Sequence, residues 1–286
     1  MHKTQPNTSS LVPVSVVVPC YNAASTIERA VTSVITQTAR PSELILIDDA
    51  SCDSEMTLSA LHALQQSYDH LMRIKIIRMK DNHGPAAARN AGWDAATQPF
   101  LAFLDADDAW HPAKIDLQYS WMKDHPSVAI TGHPCIWMQP GQEIPSLPTA
   151  WDVREVNGPL LLFSNRFQTP SVMLQRQLPF RFREGMNYCE DYLLWLQAVL
   201  RGHRAFRFGL PLAFLYKPPY GAGGLSRDLW ALTKGELAVC RILRHEGLIG
   251  GSTRSLLVTY ILLKHIRRLG ISIASGRLSA TQHGNS

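Results

Sequence analysis

Phe100-Leu101-Ala102-Phe103-Leu104-Asp105-Ala106-Asp107-Asp108 sets an apolar run directly against three carboxylates. The run has the length and composition of a buried strand. Acids packed this closely repel one another unless solvent or a cation offsets the charge. At the end of a buried strand, a hard divalent ion held by carboxylate oxygens meets that need. An acidic surface turn, capping a helix near Pro112, meets it as well. The flanking sequence decides between the two.

Upstream, β-branched and polar stretches alternate at short intervals. Val14–Val18 reads as a strand buried on both faces and stops at Pro19-Cys20-Tyr21-Asn22. Ser25 with Glu28 three residues on predicts a capping box, opening a helix whose apolar face is Ile27, Ala30, Val31, Val34 and Ile35. Leu44–Ile47 is a second strand, ending in Asp48-Asp49-Ala50-Ser51. Asp53 is placed to cap a helix over about 54–68, and Ile74–Ile77 is a third strand. Pro85 suits the first turn of an Ala-rich helix running to Ala96. Strand and helix alternating through short loops predict a parallel α/β sheet. Ligands bind such sheets at the carboxyl ends of the strands. Three strand ends deliver polar groups there: Tyr21 with Asn22, Asp48 with Asp49, and Asp105 with Asp107 and Asp108. That convergence favours a binding site over a surface turn.

The second half is less regular. It predicts a helix from Pro112 to His125, a strand at Val128–Thr131, an exposed loop over 139–150 and a short strand at Val172–Leu174. Glu190-Asp191 opens an apolar helix through Leu200 that Gly202 ends. Two short strands flank Pro211, a Pro/Gly stretch covers 218–224, and two helices follow over about 228–246 and 252–269. The organisation expected is a loose tail over 1–12, a first half over 13–132 that carries the polar strand ends, a second half of the same domain over 133–227, and a helical extension over 228–286.

Composition narrows the partners. The 286 residues are 45% hydrophobic and 18% charged, enough for a substantial core, with a net charge of +5. That mild excess suits a polyanionic substrate or an acidic membrane surface. No dense Lys/Arg block precedes the C-terminal part, so nucleic acid is not expected as a partner. The five cysteines are scattered without metal-type spacing and read as reduced thiols of a cytoplasmic protein. The first dozen residues lack the apolar core of a signal peptide, and no apolar run is long enough to span a bilayer.

Five blocks in order carry a resemblance. They are Val16-Val17-Val18-Pro19-Cys20-Tyr21-Asn22, Leu46-Ile47-Asp48-Asp49-Ala50-Ser51, Asn82 through Gly92, Phe103-Leu104-Asp105-Ala106-Asp107-Asp108, and Cys189-Glu190-Asp191-Tyr192-Leu193-Leu194-Trp195. Together they resemble glycosyltransferase family 2, inverting enzymes of the GT-A fold. The resemblance implies a Rossmann-like, mostly parallel sheet flanked by helices and a nucleoside diphosphate sugar donor, with UDP-sugars favoured by family frequency alone. It implies that Pro19, Tyr21 and Asn22 shape the base-binding loop and that Asp49 accepts from base or ribose. It implies that Arg89 approaches the donor phosphates. Asp105 and Asp107 match the DxD motif, with Asp107 as ligand of Mn²⁺ or Mg²⁺ and Asp105 reaching the ribose, or the metal through water. Asp191 takes the place of the general base. Acceptors implied are surface polysaccharides, other carbohydrates or lipid carriers. No Gln-x-x-Arg-Trp block follows Asp191, where Arg201-Gly202-His203-Arg204 stands instead. Transfer of one sugar per encounter is therefore expected.

Ordinary structural roles compete at each position. Tyr21 fits a turn aromatic, Arg89 a solvated helix cation, Asp48 a structural acid, and Asp191 with Glu190 acids at a helix N-terminus. Trp110, Trp137 and Trp195 suit a core as well as a sugar-stacking role. Gly221-Ala222-Gly223-Gly224 lacks the strand-turn-helix setting of a phosphate loop; by family analogy 218–227 is expected to close over the donor. A sugar nucleotidyltransferase or a dinucleotide dehydrogenase would need a Gly-rich loop where Pro19–Ala24 stands. A catalytically inactive nucleotide-sugar-binding protein would be expected to lack the metal acids or the base. A metal-dependent phosphohydrolase is not separated by carboxylates alone. Arg254–Ile273 mixes Leu and Ile with Lys264, Arg267 and Arg268. It suits a helix packed on the domain, and less strongly peripheral contact with the inner face of a membrane.

Overall fold

In a computed structural model, which describes residues 11–217 and 228–282, the predicted parallel unit forms as a continuous half-sheet. The expected lid at 218–227 and most of the expected tail therefore lie outside the described residues. Strands β1 (Leu11–Cys20), β2 (Arg40–Asp48) and β3 (Arg73–Arg78) run parallel. The opening stretch supplies β4 (Phe100–Phe103), parallel to β1 on its other side. Helices α1 (Ile27–Ile35), α2 (Met56–Tyr68) and α3 (Pro85–Ala95) make the crossovers.

After the acidic turn come β5 (Ala109–Trp110), α4 (Lys114–Asp124), β6 (Val128–Gly132), β7 (Cys135–Trp137), β8 (Val153–Glu155) and α5 (Gly158–Phe163). Then follow β9 (Met173–Gln175), α6 (Glu190–Leu200), β10 (Arg204–Phe208), β11 (Ala213–Leu215), α7 (Leu229–His245) and α8 (Gly251–Gln282). The main sheet has eight strands in the order β3-β2-β1-β4-β9-β6-β10-β8. It is mostly parallel, with β9 and β8 antiparallel to their neighbours. A second sheet, β5-β11-β7, stands beside the acidic turn.

The two faces of β1 feed two cores. Val14, Val16 and Val18 pack with Val31 and Val34 of α1, whereas Val17 turns to a second core with Trp93, Phe103 and Trp195. Each such fully buried aliphatic side chain contributes roughly 1.5–3 kcal/mol. Because β1 is covered on both faces, it reads as a continuous apolar run. Gly92 lets α3 lie directly on β1: a Cβ there would overlap the Val17 side chain.

Several expectations are corrected. Leu11 and Val12 belong to β1, paired with Arg40 and Pro41, so the tail cannot extend to residue 12. The Ser25/Glu28 capping box does not form. Helix α1 starts at Ile27 with Thr26 at its N-cap and no side-chain cap, because a backbone turn from Ala23 carries the entry. Asp53 does accept from the Thr57 N–H, at 3.1 and 3.2 Å, three residues ahead of the start of α2. Helix α8 continues past 269 to Gln282, since Gly270 meets no neighbour and no proline follows to stop it. Three-residue β7 and β8 and the short α5 carry too few residues for a period to show. Trp110 and Trp195 are buried and donate their indole N–H groups to Pro170 and Phe167 carbonyls.

Candidate active site

A cleft of about 1410 Å³ opens at the carboxyl ends of β1, β2 and β4. It brings together Pro19, Tyr21, Asn22, Asp49, Arg89, Asp105 and Asp107, all singled out from sequence. Asp191, also singled out from sequence, does not line it.

The loops after β1 and β2 are laced together. The Asn22 N–H donates to Ser51 Oγ at 3.0 Å, and the Asn22 side-chain carbonyl accepts from the Cys52 N–H at 2.9 Å. Asn22 and Ala50 both sit in the left-handed region, with φ of 50° and 53°. Such conformations cost about 1 kcal/mol for a non-glycine residue and concentrate at functional turns. Tyr21 leaves its ring half exposed, with its hydroxyl 3.3 Å from Cys52 Sγ. This is a flat apolar surface at the rim. Asp49 is buried, and its carboxylate accepts from the His83 and Gly84 N–H groups at 3.0 and 2.8 Å. It therefore shapes the entry to α3, and a carboxylate with two such bonds keeps acceptor capacity for a ligand. Asp48 is wholly buried, accepts from the Ser51 N–H and faces Arg78 at 3.6 Å, the structural placement expected.

Arg89 is not a solvated helix cation. It is buried on α3, and its two terminal nitrogens reach Asp105 at 2.8 Å and Glu190 at 3.0 Å. Burial works against its charge, but Asp105 and Glu190 more than restore it. Glu190 opens α6, so Arg89 ties the acidic turn to the helix that carries Asp191.

The three acids of the turn have three environments. Asp105 and Asp107 are partly exposed to the cleft, and Asp108 is buried. Burial, reinforced by Asp105 and Asp107, pushes the Asp108 carboxyl up to about 9. Lys217, just after β11, reaches Asp107 Oδ2 at 2.6 Å. Arg29 of α1 donates to the Asp107 carbonyl at 2.5 Å and lies 3.9 Å from the centre of the Tyr216 ring. Arg89 and Lys217 thus face Asp105 and Asp107, while a third acid stands behind them. The Asp105 and Asp107 oxygens that face the open cleft are of the hard type a divalent cation takes. No group of three or more His, Cys, Asp or Glu side chains able to hold a metal occurs among the described residues. The two acids that face the cleft could supply at most part of a metal's shell.

Asp191 stands one residue inside α6. Its carboxylate accepts from the Tyr192 N–H at 2.6 Å and from Thr169 Oγ1 at 3.2 Å, with Asn165 Nδ2 at 3.4 Å. Burial first, then Glu190, pushes it up to about 7, against the pull of Arg89. A carboxylate so poised is half-prepared to take a proton near neutrality. Sequence reasoning missed Lys217 and Arg29, and it left Glu190 without a defined partner. Lys217 follows the Leu215-Tyr216 pair where only a loose resemblance was visible, and nothing in the sequence places Arg29 against a turn 78 residues away.

Comparison with known proteins shows the family. The family model described as Glycosyl transferase family 2 matches residues 15–178. The chain belongs to that family. It is 30% identical over 202 residues to the putative teichuronic acid biosynthesis glycosyltransferase TuaG of Bacillus subtilis, covering 68% of this chain and 74% of the relative. It is 38% identical over 109 residues to an Escherichia coli UDP-Glc:alpha-D-GlcNAc-diphosphoundecaprenol beta-1,3-glucosyltransferase, WfgD, covering 38% of this chain and 40% of the relative. Among solved structures, S. aureus TarS 1–349 in complex with UDP-GlcNAc superposes with a TM-score of 0.67 at 18% identity, over 89% of this chain and 72% of TarS. The fold is the GT-A glycosyltransferase fold, and the protein is a glycosyltransferase. No helix among the described residues is long and apolar enough to cross a membrane.

Proposed function

We propose that this family 2 transferase moves a sugar from a nucleoside diphosphate sugar, with UDP-sugars favoured, to an acceptor hydroxyl with inversion at the anomeric carbon. The observation that carries the reading is the Asp105–Arg89–Glu190 bridge. It joins a nucleotide-sized cleft to a second acidic group on α6. The base would lie against Tyr21 in the loop from Pro19 to Asn22, with Asp49 accepting from base or ribose. The diphosphate would lie over Asp105 and Asp107, where Arg89 and Lys217 are the nearby cations. When bound there, Mn²⁺ or Mg²⁺ held by Asp107, with Asp105 alongside, would offset charge on the departing diphosphate.

Asp191 takes the proton from the acceptor hydroxyl. That oxygen bonds to the anomeric carbon from the face opposite the diphosphate, and the carbon–oxygen bond to the diphosphate breaks with its electron pair. Because Asp191 does not line the cleft, the sugar must extend from the diphosphate toward α6 to meet the acceptor there. TuaG by its name acts in teichuronic acid biosynthesis, TarS was solved with UDP-GlcNAc, and WfgD by its name uses a diphosphoundecaprenol acceptor. Those names support a surface-polysaccharide role and a carbohydrate or lipid-linked acceptor.

The test is Asp191→Asn. Calorimetry should give UDP affinity within about twofold of the parent, while glycosylation of an acceptor falls by about 10²–10⁴-fold. Parent-like turnover in the purified variant would refute the base assignment. Retained anomeric configuration in the product would refute inversion.

A further inference from the structure

Helix α8 carries Arg254, Lys264, Arg267, Arg268 and Arg277 and no acidic residue. Its inner face is fully employed. Leu257 and Ile261 are buried, and Lys264 and Arg268 reach Glu236 of α7 at 2.6 and 3.1 Å. Thr233 of α7 lies 2.9 Å from His265. The outer face is a different surface. Leu256, Leu262, Leu263, Ile266 and Leu269 are each between 42% and 64% exposed. Ser255, Thr259 and Gly270 lie between them, and Arg267 is the charged residue exposed within 255–271. A solvent-facing helix surface ordinarily carries charge, and a contiguous apolar face marks something that covers it.

We infer that this outer face of α8 docks the protein on an anionic lipid surface. Aliphatic side chains would enter the headgroup–acyl boundary, and Arg254 and Arg267 would meet lipid phosphates. Charge complementarity selects this occupant. A second copy pairing α8 against α8 would bring two sets of uncompensated arginines together. Position gives the docking a use. Trp230, half exposed, holds its ring 5.3 Å from that of His265 at a tilt of 58°, and the adjoining Leu229 lines the active-site cleft. An amphipathic Trp at that edge suits the membrane boundary. Helix α7, which packs on α8, thus begins at the cleft, so docking through α8 would hold the cleft near the bilayer, where an anchored acceptor would be presented. This extends the transfer reading above to a lipid-linked acceptor.

Flotation of the full chain with two vesicle types tests it, phosphatidylcholine alone and phosphatidylcholine mixed with phosphatidylglycerol. The chain should float with the anionic vesicles and not with the neutral ones, and added salt should weaken the binding. The double variant Leu263→Ser, Ile266→Ser should lose binding by at least tenfold, and Arg267→Glu by about tenfold. Both variants change exposed positions and should keep the parent melting temperature and UDP affinity. Absence of flotation, or flotation indifferent to both variants, would overturn the inference. So would a dimer seen by light scattering that the double variant abolishes, since a second copy would then be the occupant. UDP binding, measured in parallel, is untouched by any of these results, so the donor-site reading stands or falls separately.

Discussion

At the scale of single residues, the site is a matter of how four carboxylates are kept apart in charge. Asp105 and Asp107 each face a cation of the protein, whereas Asp108 and Asp191 are pushed upward by burial and by acidic neighbours. For Asp191 the sign is definite. Its folded value near 7 lies above the ordinary unfolded value of about 3.9. The native state therefore holds a proton that the unfolded chain has lost between those values. The group favours folding in acid, and that contribution is lost as pH rises from about 4 through 7. Transfer needs the ionised form, so kcat/KM should rise with pH along a limb centred near 7. Asp191→Asn should remove both the limb and that part of the stability slope. A parent limb centred near 4 would show an ordinary surface carboxylate. Lys217 makes a second residue-scale prediction. Its ammonium sits on the acid expected to bind metal. Lys217→Met should therefore raise Mn²⁺ affinity of the nucleotide-free protein, by about tenfold, while weakening UDP binding without metal. Calorimetry of each ligand alone distinguishes these effects. Unchanged Mn²⁺ affinity would make the ion pair incidental.

At the scale of elements, the cleft depends on how closely α3 approaches β1, because α3 carries Arg89 into the bridge. That approach rests on Gly92 lying against Val17. Gly92→Ala gains helix propensity of about 0.8–1 kcal/mol yet must displace Val17 or the helix. Overpacking of a rigid core costs roughly 1–3 kcal/mol, so net destabilisation of up to about 2 kcal/mol is expected in urea unfolding. Pairing it with Val17→Ala should recover part of the loss, since the two side chains share one volume. Helix α6 shows the same dependence from the other side. Its first turn presents Glu190 to Arg89 and Asp191 to Thr169, so one helix start serves both the bridge and the proposed base. Both carboxylates there also benefit from the helix N-terminus.

At the scale of the whole molecule, the parallel half-sheet binds one end of the bridge and the mixed half holds the other. A donor with metal that binds only the native state should stabilise the chain by mass action. At a hundredfold excess over Kd this is about 2.7 kcal/mol, or roughly 5–10 °C in Tm for a chain of this size. A thermal-shift screen of nucleoside diphosphate sugars with Mn²⁺ and Mg²⁺ should show the rise for the right donor only when metal is present. A full shift without metal would indicate that Arg89 and Lys217 suffice for the diphosphate.

What the sequence alone determined was the parallel half and its polar strand ends. Strand β1 and the acidic turn were legible because a buried strand must be apolar throughout and must stop where polar groups begin. The blocks from Val16 to Trp195 carried the family for the same local reason. Partnerships across the chain were not legible. Arg89 looked like a cation on a helix surface, and only the tertiary placement of the start of α6 within its reach turned it into a buried bridge between residues 16 and 101 positions away. The missing capping box at Ser25 shows the converse, a local signal overridden by a backbone turn. Periodicity reports which face of an element is buried. It does not report which element will cover that face, because that choice is made by the free energy of the assembled core.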